Sequence, residues 1–425
     1  MKKKYRWIVY TAVSLAAFFL ISVVGMAAYY YLVARNTLEQ VTTPENPYTV
    51  LSVYVLQDDP ASDIRDTAGY PYGISTKDDS IAKEQLLVKL EEILGEKPTV
   101  TAYENLFTLV DGLRDQQCRS IVLNEAYVQS IAETEGYEWI TEGMRRIGYF
   151  SLSDVSESEE QLPVPDKVPE SFLVYLSGID TFGGLAARSR SDVNILMAVN
   201  TRTDEILLVS TPRDYYVEFS ETGGAKDKLT HAGIYGIDAS VDALERLYDV
   251  SIDYYVRLNF SGFVEIIDAL GGIEVYSDYD FTVQNIRDYH KGWNQLNGLE
   301  ALAFARERYS FPDGDYQRAR NQAEVIRAVI QKCASPAILK NYRSVMEAVS
   351  GSFETNMPED QITELAAMQL FENPSWEISS FTVDGASAYR PTFSMPGQDL
   401  YVILPKQESI NQAKDRINTL LYSAS

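Results

Sequence analysis

Residues 7 to 33, "WIVYTAVSLAAFFLISVVGMAAYYYLV", contain no charged side chain. A run longer than the ~20 apolar residues that cross a bilayer leaves this part of the chain one expected form, a transmembrane helix whose backbone groups pair internally. Lys2, Lys3, Lys4 and Arg6 precede it, so the basic bias keeps residues 1 to 6 in the cytoplasm and sends the rest of the chain across. A cleaved signal peptide is the competing reading, but its apolar region spans about 7 to 15 residues and ends at a small-residue site. Tyr29 to Tyr31 fall where an aromatic belt meets the outer interface. The expected localisation is the cell membrane, single-pass, with the large C-terminal part extracellular.

The chain has 37 basic and 61 acidic side chains and a formal net charge of −24. With the basic tail held inside, the outer part is more acidic still, and such a surface repels nucleic acid and anionic headgroups. No nucleic-acid partner is expected, and any local cluster of arginines becomes informative. Cys118 and Cys333 are the only cysteines, too few for a disulfide framework, and read as small buried hydrophobes.

A length of 425 residues suggests two or three folded units. In residues 48 to 150, "YTVLSVYVL", "PTVTAYE" and "SIVLN" read as strands. They alternate with helical "DSIAKEQLLVKLEEILG", "NLFTLVDGLRD" and a helix from Glu125, which predicts a smaller α/β accessory domain. "SDVSESEEQLPVPDKVPES", residues 153 to 171, reads as a linker across which few contacts run. From 172 to 425, strand-like "FLVYLSGID", "SDVNILMAVN", "EILLVS", "DYYVRLN", "WEISSFTV" and "DLYVILP" alternate with helical segments. The expectation is an α/β domain with a mixed central sheet sandwiched by helices.

Within this second unit, "RERYSFPDGDYQRARNQ" concentrates Arg306, Arg308, Arg318 and Arg320. The pattern predicts a helix that reaches Ala305, an extended exit that turns Arg306 and Arg308 to one side, and a second helix N-capped by Asp315. Ala319, Ala323, Ile326 and Ile330 form the buried stripe of that helix, Arg318 and Gln322 share another face, and Arg320 lies off it, four residues from Glu324. The plainer alternative pairs these arginines on the surface with Glu307, Asp313, Asp315 and Glu324. Arg213 follows the buried strand "LLVS", and Asp180 and Asp192 flank other strand ends, where α/β sheets bind ligands. With His231 and His290 the only histidines, a histidine-centred hydrolase has little support, and His231 in "KLTHAG" reads as structural or as a pocket wall.

Seven blocks in order, "GID", "RSDVNILMAVN", "VSTPRD", "KLTHAGIYG", "DYYVRLNFSGFVEIIDALGGIEV", "LNGLEALAFARERY" and "DGDYQRARNQ", resemble the LytR-CpsA-Psr (LCP) family of Gram-positive envelope enzymes over roughly residues 172 to 335. Residues 48 to 150 resemble the extra domain of its capsule-type streptococcal members, although those commonly have additional membrane segments. The resemblance implies a phosphotransferase that moves a glycan-1-phosphate, capsular or teichoic-acid-like, from a polyprenyl-diphosphate carrier to a peptidoglycan hydroxyl. It implies magnesium (or manganese) at Asp180 and Asp192, and diphosphate contacts from Arg190, Arg213, Arg306, Arg308, Arg318 and Gln322. Catalysis is thereby expected of Arg213, Arg306, Arg308, Asp180 and Asp192. The expected partners are the lipid-linked glycan donor, the peptidoglycan acceptor and other proteins of envelope polymer synthesis.

The residue chemistry agrees with this. Planar guanidinium forks hold phosphate oxygens in pairs, magnesium takes carboxylate, water and phosphate oxygens, and phosphoryl transfer needs positioning and charge stabilisation more than a protein nucleophile. The acceptor's base is open, with an aspartate the better candidate although metal binding lowers its basicity. Segments "FSGFVEIIDAL", "LEALAFA" and "VIRAVI" read mainly as core helices and equally describe the walls of a lipid slot. Two other functions stay open, a lipid-diphosphate pyrophosphatase and a non-catalytic lipid-binding regulator of envelope polymer synthesis.

Overall fold

The computed structural model describes residues 41–42, 47–76, 80–153, 164–179, 184–335, 344–345, 347–348 and 351–423. The expected tail and membrane span at 1–33, most of the expected linker, and Asp180 lie outside them. Among the described residues no helix is long and apolar enough to cross a membrane.

The first layer is a five-stranded sheet of β1 (Tyr48–Leu56), β2 (Pro71–Ser75), β3 (Thr99–Tyr103), β4 (Ser120–Asn124) and β5 (Met144–Ser153), in the order β3-β2-β4-β1-β5. Between its strands run α1 (Ser80–Leu94), α2 (Leu106–Arg114) and α3 (Glu125–Ala132). Asn105 and Asn124 cap the last two by accepting backbone N–H bonds, which fixes where each helix begins. Strand β5 was not expected from the sequence. It pairs antiparallel with β1 along its whole length and covers what would otherwise be an open edge.

The second layer begins with β6 (Ser171–Ile179), β7 (Ser191–Asn200) and β8 (Glu205–Ser210), followed by α4 (Leu229–Tyr235), α5 (Ile237–Tyr248) and β9 (Tyr254–Asn259). Then come α6 (Phe260–Ala269), α7 (Gly298–Arg306), α8 (Asp315–Ala334), β10 (Phe353–Thr355), α9 (Glu359–Glu372) and β11 (Glu377–Thr382). A hairpin of β12 (Gly385–Pro391) and β13 (Asp399–Pro405) leads into α10 (Gln407–Tyr422).

The main sheet runs β10-β9-β6-β7-β8-β11 and is mixed, as expected: β9 is parallel to β6 and β11 to β8, while β6–β7 and β7–β8 are antiparallel. Alternation along β6 explains the sandwich. Leu173 and Tyr175 pack with α5 and α10 on one face, and Phe172 and Val174 with α8 and α9 on the other. Both faces are therefore apolar, which is why the strands read as continuous hydrophobic runs. Helix α10, not anticipated in the polar-looking tail, buries Ile410, Ala413 and Ile417 against this sheet.

The two layers do not behave as units with few contacts between them. Met395 and Leu400, from the β12–β13 region, are buried in the core of the first layer with Tyr103 and Leu106. Tyr48 donates its backbone N–H to Ala186 at 3.1 Å and its hydroxyl accepts from Gly184 at 2.9 Å. A Ser-, Glu- and Pro-rich connection measures how the chain crosses between layers, whereas contacts distant in sequence decide whether they separate.

Helices α6 and α7 meet at Gly298, where a Cβ would stand 2.2 Å from the Val264 carbonyl oxygen. Gly298→Ala is expected to destabilise the fold by about 1–3 kcal/mol, because backbone on both sides must move apart. A urea titration with an unchanged midpoint would refute this close crossing.

Candidate functional site

One end of the main sheet gathers the charged residues because of strand register. Ile179 of β6 pairs with Ser191 of β7 and with Asn259 of β9, and Ser210 at the end of β8 lies opposite Ile195. Asp192 at the start of β7, Arg213 just past β8, and Phe260 just past β9 therefore share one rim. The start of β7 is held by a buried polar cluster in which the Tyr175 hydroxyl donates to Asn194 Oδ1 at 2.6 Å and Asn194 Nδ2 donates to the Ser191 carbonyl at 2.9 Å.

On this rim four guanidinium groups are joined through three carboxylates. Asp192 accepts from Arg213 at 3.2 Å, from Arg190 at 3.4 Å and from the Thr230 hydroxyl at 3.0 Å. Asp315 lies 2.9 Å from Arg318 and 3.7 Å from Arg308. Glu133, from the first layer, receives two bonds from Nη2 of Arg213, at 2.8 and 3.0 Å, and lies 3.8 Å from Arg190 and 3.5 Å from Arg308. Arg190 and Arg213 are 3% and 5% exposed, so their charges stand in a low-dielectric place where an unpaired ion costs several kcal/mol.

The titration behaviour follows from this packing. Burial pushes the Asp192 carboxyl up, but Arg190 and Arg213 outweigh it and hold the group far below its ordinary range. Burial likewise raises Glu133, and Arg213 with Arg190 brings it below its usual value. For Arg318, burial and the neighbouring Arg213 lower the pKa, against the opposing pull of Asp315. Asp192 is thus a firmly ionised group, a good ligand and a weak base at neutral pH.

The charged rim opens onto a cavity of about 340 Å³ whose far walls are apolar. Leu176, Val193, Val256 and Leu258 line it from the sheet, Phe260 and Phe263 from α6, Leu302 from α7, and Val325 and Ile326 from α8. The three segments that read mainly as core thus also wall a space. Leu302, Phe263 and Ile326 are only partly buried because the helices stand away from the sheet there.

Of the residues singled out in the sequence, Arg190, Asp192, Arg213, Arg306, Arg308, Arg318 and Gln322 all line this cavity, while Asp180 is outside the described residues. Arg306, the last residue of α7, lies 4.6 Å over the Phe260 ring rather than beside the three carboxylates. Gln322 donates to the Ala305 carbonyl at 3.3 Å, tying α8 to the end of α7. Two local expectations are corrected. Gly314, with φ +46°, is the N-cap of α8, and Asp315 is its first residue, turned toward Arg318 instead of capping. Arg320 bonds to Asp313 and Gln317, not Glu324, whose partner is Arg327.

His231 has a structural place. Its Nδ1 lies 2.7 Å from Asp227 Oδ1 and its Nε2 3.2 Å from Ser130 Oγ of α3. This Ser-His-Asp order mimics a hydrolytic triad, yet both His231 and Asp227 are 0% exposed, so the group bolts the two layers together.

Sequence reasoning missed Glu133, Asp214, Lys228 and Thr230. The last three sit inside the quoted blocks "VSTPRD" and "KLTHAG", which was a usable signal; nothing local marked Glu133. Lys228 Nζ lies 2.9 Å from Asp214, which also stands 3.6 Å from Arg213. Cys118 and Cys333 are free thiols; Cys118 is buried as expected, whereas Cys333 is half-buried.

The model of the LytR_cpsA_psr family matches residues 149–418. A Bacillus cereus protein named polyisoprenyl-teichoic acid–peptidoglycan teichoic acid transferase TagU is 37% identical over 211 residues, 49% of this chain and 67% of that one. The crystal structure of B. subtilis TagV superposes with a TM-score of 0.51 at 26% identity, covering 60% of this chain and 99% of the other. TagT bound to LI-WTA gives a TM-score of 0.50 at 26% identity, covering 63% of this chain and 96% of that chain.

Burial raises the Asp214 carboxyl, but Lys228 and then Arg213 bring it down to about 2 from an ordinary 3.8. Its contribution to stability is complete above the ordinary value and is lost as pH falls toward 2. Lys228→Met removes the principal partner, so it is expected to cost roughly 3–5 kcal/mol and to move acid unfolding to higher pH. Urea titrations repeated from pH 7 downward measure both, and an acid transition identical to that of the parent chain would contradict the pairing.

Proposed function

Since the chain belongs to the LytR_cpsA_psr family, we propose that it is an envelope phosphotransferase that moves a glycan-1-phosphate polymer, capsular or teichoic-acid-like, from a polyprenyl-diphosphate carrier to a peptidoglycan hydroxyl. The observation that carries this reading is the meeting of an arginine-lined rim and an apolar cavity in one site, the chemistry of a diphosphate joined to a hydrocarbon chain. The transferase names of the relatives support the transfer of a glycopolymer to peptidoglycan. In the same reading residues 7 to 33 anchor the protein, the remainder is extracellular, and residues 48 to 150 form the extra domain of capsule-type members.

In this reading Arg213 and Arg308 hold the diphosphate oxygens, and Arg190 and Arg318 supply further positive charge from the cavity rim. Such preorganised donors favour the charge that develops on the leaving prenyl monophosphate as the phosphoanhydride bond to the glycan-1-phosphate breaks and the acceptor hydroxyl oxygen bonds to that phosphorus. The prenyl chain runs into the slot between α6, α7 and the sheet. Arg306 then holds the slot's mouth over Phe260.

Magnesium is compatible with the residues present. Asp192 is ionised, lines the cavity and has one oxygen, Oδ2, with a single long bond of 3.4 Å to Arg190. Among the described residues no three metal-ligating side chains cluster, so a bound ion would depend on Asp192, Asp180, water and substrate oxygens. When bound, the ion would offset diphosphate charge as a Lewis acid.

Arg213→Ala and Arg308→Ala are each expected to lower transfer by roughly 100-fold or more with folding retained. Arg320→Ala, whose partners are Asp313 and Gln317, should stay within a few-fold of the parent. Transfer of label from a synthetic prenyl-diphosphate glycan to peptidoglycan fragments measures this. Near-parent turnover by the Arg213 variant would sink the assignment, and release of label to water alone would make the protein a pyrophosphatase.

Activity is also expected to need magnesium or manganese, and Asp192→Ala to raise the metal concentration required. Full transfer in excess chelator would remove the metal from the reaction.

A further inference from the structure

The most exposed fact about the cage is that one of its carboxylates comes from a different layer. Glu133 follows the last residue of α3 and is its C-cap, with φ −81° and ψ −4°. An acidic side chain at a helix C-terminus faces the negative end of the helix dipole, so the helix gains nothing from it. Its charge compensation lies across the interface, in the two bonds from Arg213 and the proximity of Arg190 and Arg308.

The seat of α3 is built, not incidental. Ser130 Oγ receives a bond from Arg190 Nη1 at 3.3 Å and meets buried His231 at 3.2 Å, one turn before Glu133. Gln129 lines the cavity beside Glu133 and donates to it at 3.4 Å. The Glu133 side chain is 24% exposed against 4% and 5% for Arg190 and Arg213, so it stands on the solvent side of those two arginines.

The Glu133 carboxylate takes up Nη2 of Arg213, a charged donor that a phosphate oxygen accepts from equally well. We propose that Glu133 is a donor-affinity residue: an internal anion, supplied by the first layer, that occupies Nη2 of Arg213 until a diphosphate displaces it. This rests on the reading of the cage as a diphosphate site. Glu133 neutralises the crowded guanidinium groups while the site waits for donor, and a ligand with one carboxylate's worth of charge competes with it poorly. A diphosphate carries more charge and more oxygens and reaches Arg213, Arg308 and Arg318 together. The first layer therefore sets a threshold that selects diphosphates, whose oxygens span several arginines, over monophosphates and carboxylates.

The test uses the full chain in detergent, with inorganic pyrophosphate and inorganic phosphate as probes and calorimetry as the readout. Glu133→Gln, which keeps shape and removes charge, is expected to bind pyrophosphate roughly 10-fold more tightly, because no carboxylate then competes for Arg213. Its gain for phosphate should be larger, so the preference for pyrophosphate narrows. In the parent chain, pyrophosphate should increase amide hydrogen exchange across residues 125 to 135 as Glu133 is released, a measurement that does not depend on any variant folding. Binding by the parent with no gain in Glu133→Gln and no change in exchange overturns this inference and leaves the cage standing. Failure of both proteins to bind pyrophosphate overturns the cage and this inference with it.

Discussion

Four guanidinium groups beside one another are the condition to which this site conforms. Arg190, Arg213, Arg308 and Arg318 repel each other, and two of them are almost fully buried, so the chain must supply carboxylates at bonding distance. Asp192, Asp315 and Glu133 do so from three separate parts of the sequence, a strand start, a helix start and a helix end in the other layer. Satisfying those charges requires β7, α8 and α3 to converge, and that convergence ties the charged rim to the rest of the fold.

The remaining architecture gives the rim its depth. The mixed sheet brings three strand ends and one strand start to a single edge, and its helices cover both faces. Helices α6, α7 and α8 pack on one another through Ile267, Phe304 and Val325, and this separate cluster holds them at a distance from the sheet. The space left between is apolar on one side and ends at the arginines. A polar head and a long hydrocarbon tail need such a pairing of surfaces, and neither half alone would distinguish a lipid diphosphate from a free anion or a fatty chain.

Much of this was legible. Apolar runs located β1, β6, β7 and β8, helical periodicity located α1 and α2, and the seven blocks located nearly every charged residue of the rim. Strand β5 and helix α10 escaped because their polar residues diluted the local pattern, while their apolar positions acquire meaning only against β1 and the main sheet. Arg320 was assigned the wrong partner because helical spacing names Glu324, while the preceding turn brings Asp313 closer. Arg306 shows the opposite case. Its position was correct, but its stacking on Phe260 depends on α6 and could not be read from its own neighbours.

By itself the sequence determined most of the strands and helices, though not β5 or α10, and that cationic side chains would stand at strand ends, because periodicity and adjacency are local properties of the chain. It could not determine that Glu133 enters the cage, that Met395 and Leu400 complete the core of the first layer, or that three apolar helices enclose a cavity instead of filling it. Those outcomes belong to contacts between residues distant in sequence. A carboxylate on α3 has the same local pattern whether it faces water or Arg213; burial and the opposing charge, which only the packed layers create, decide which it is.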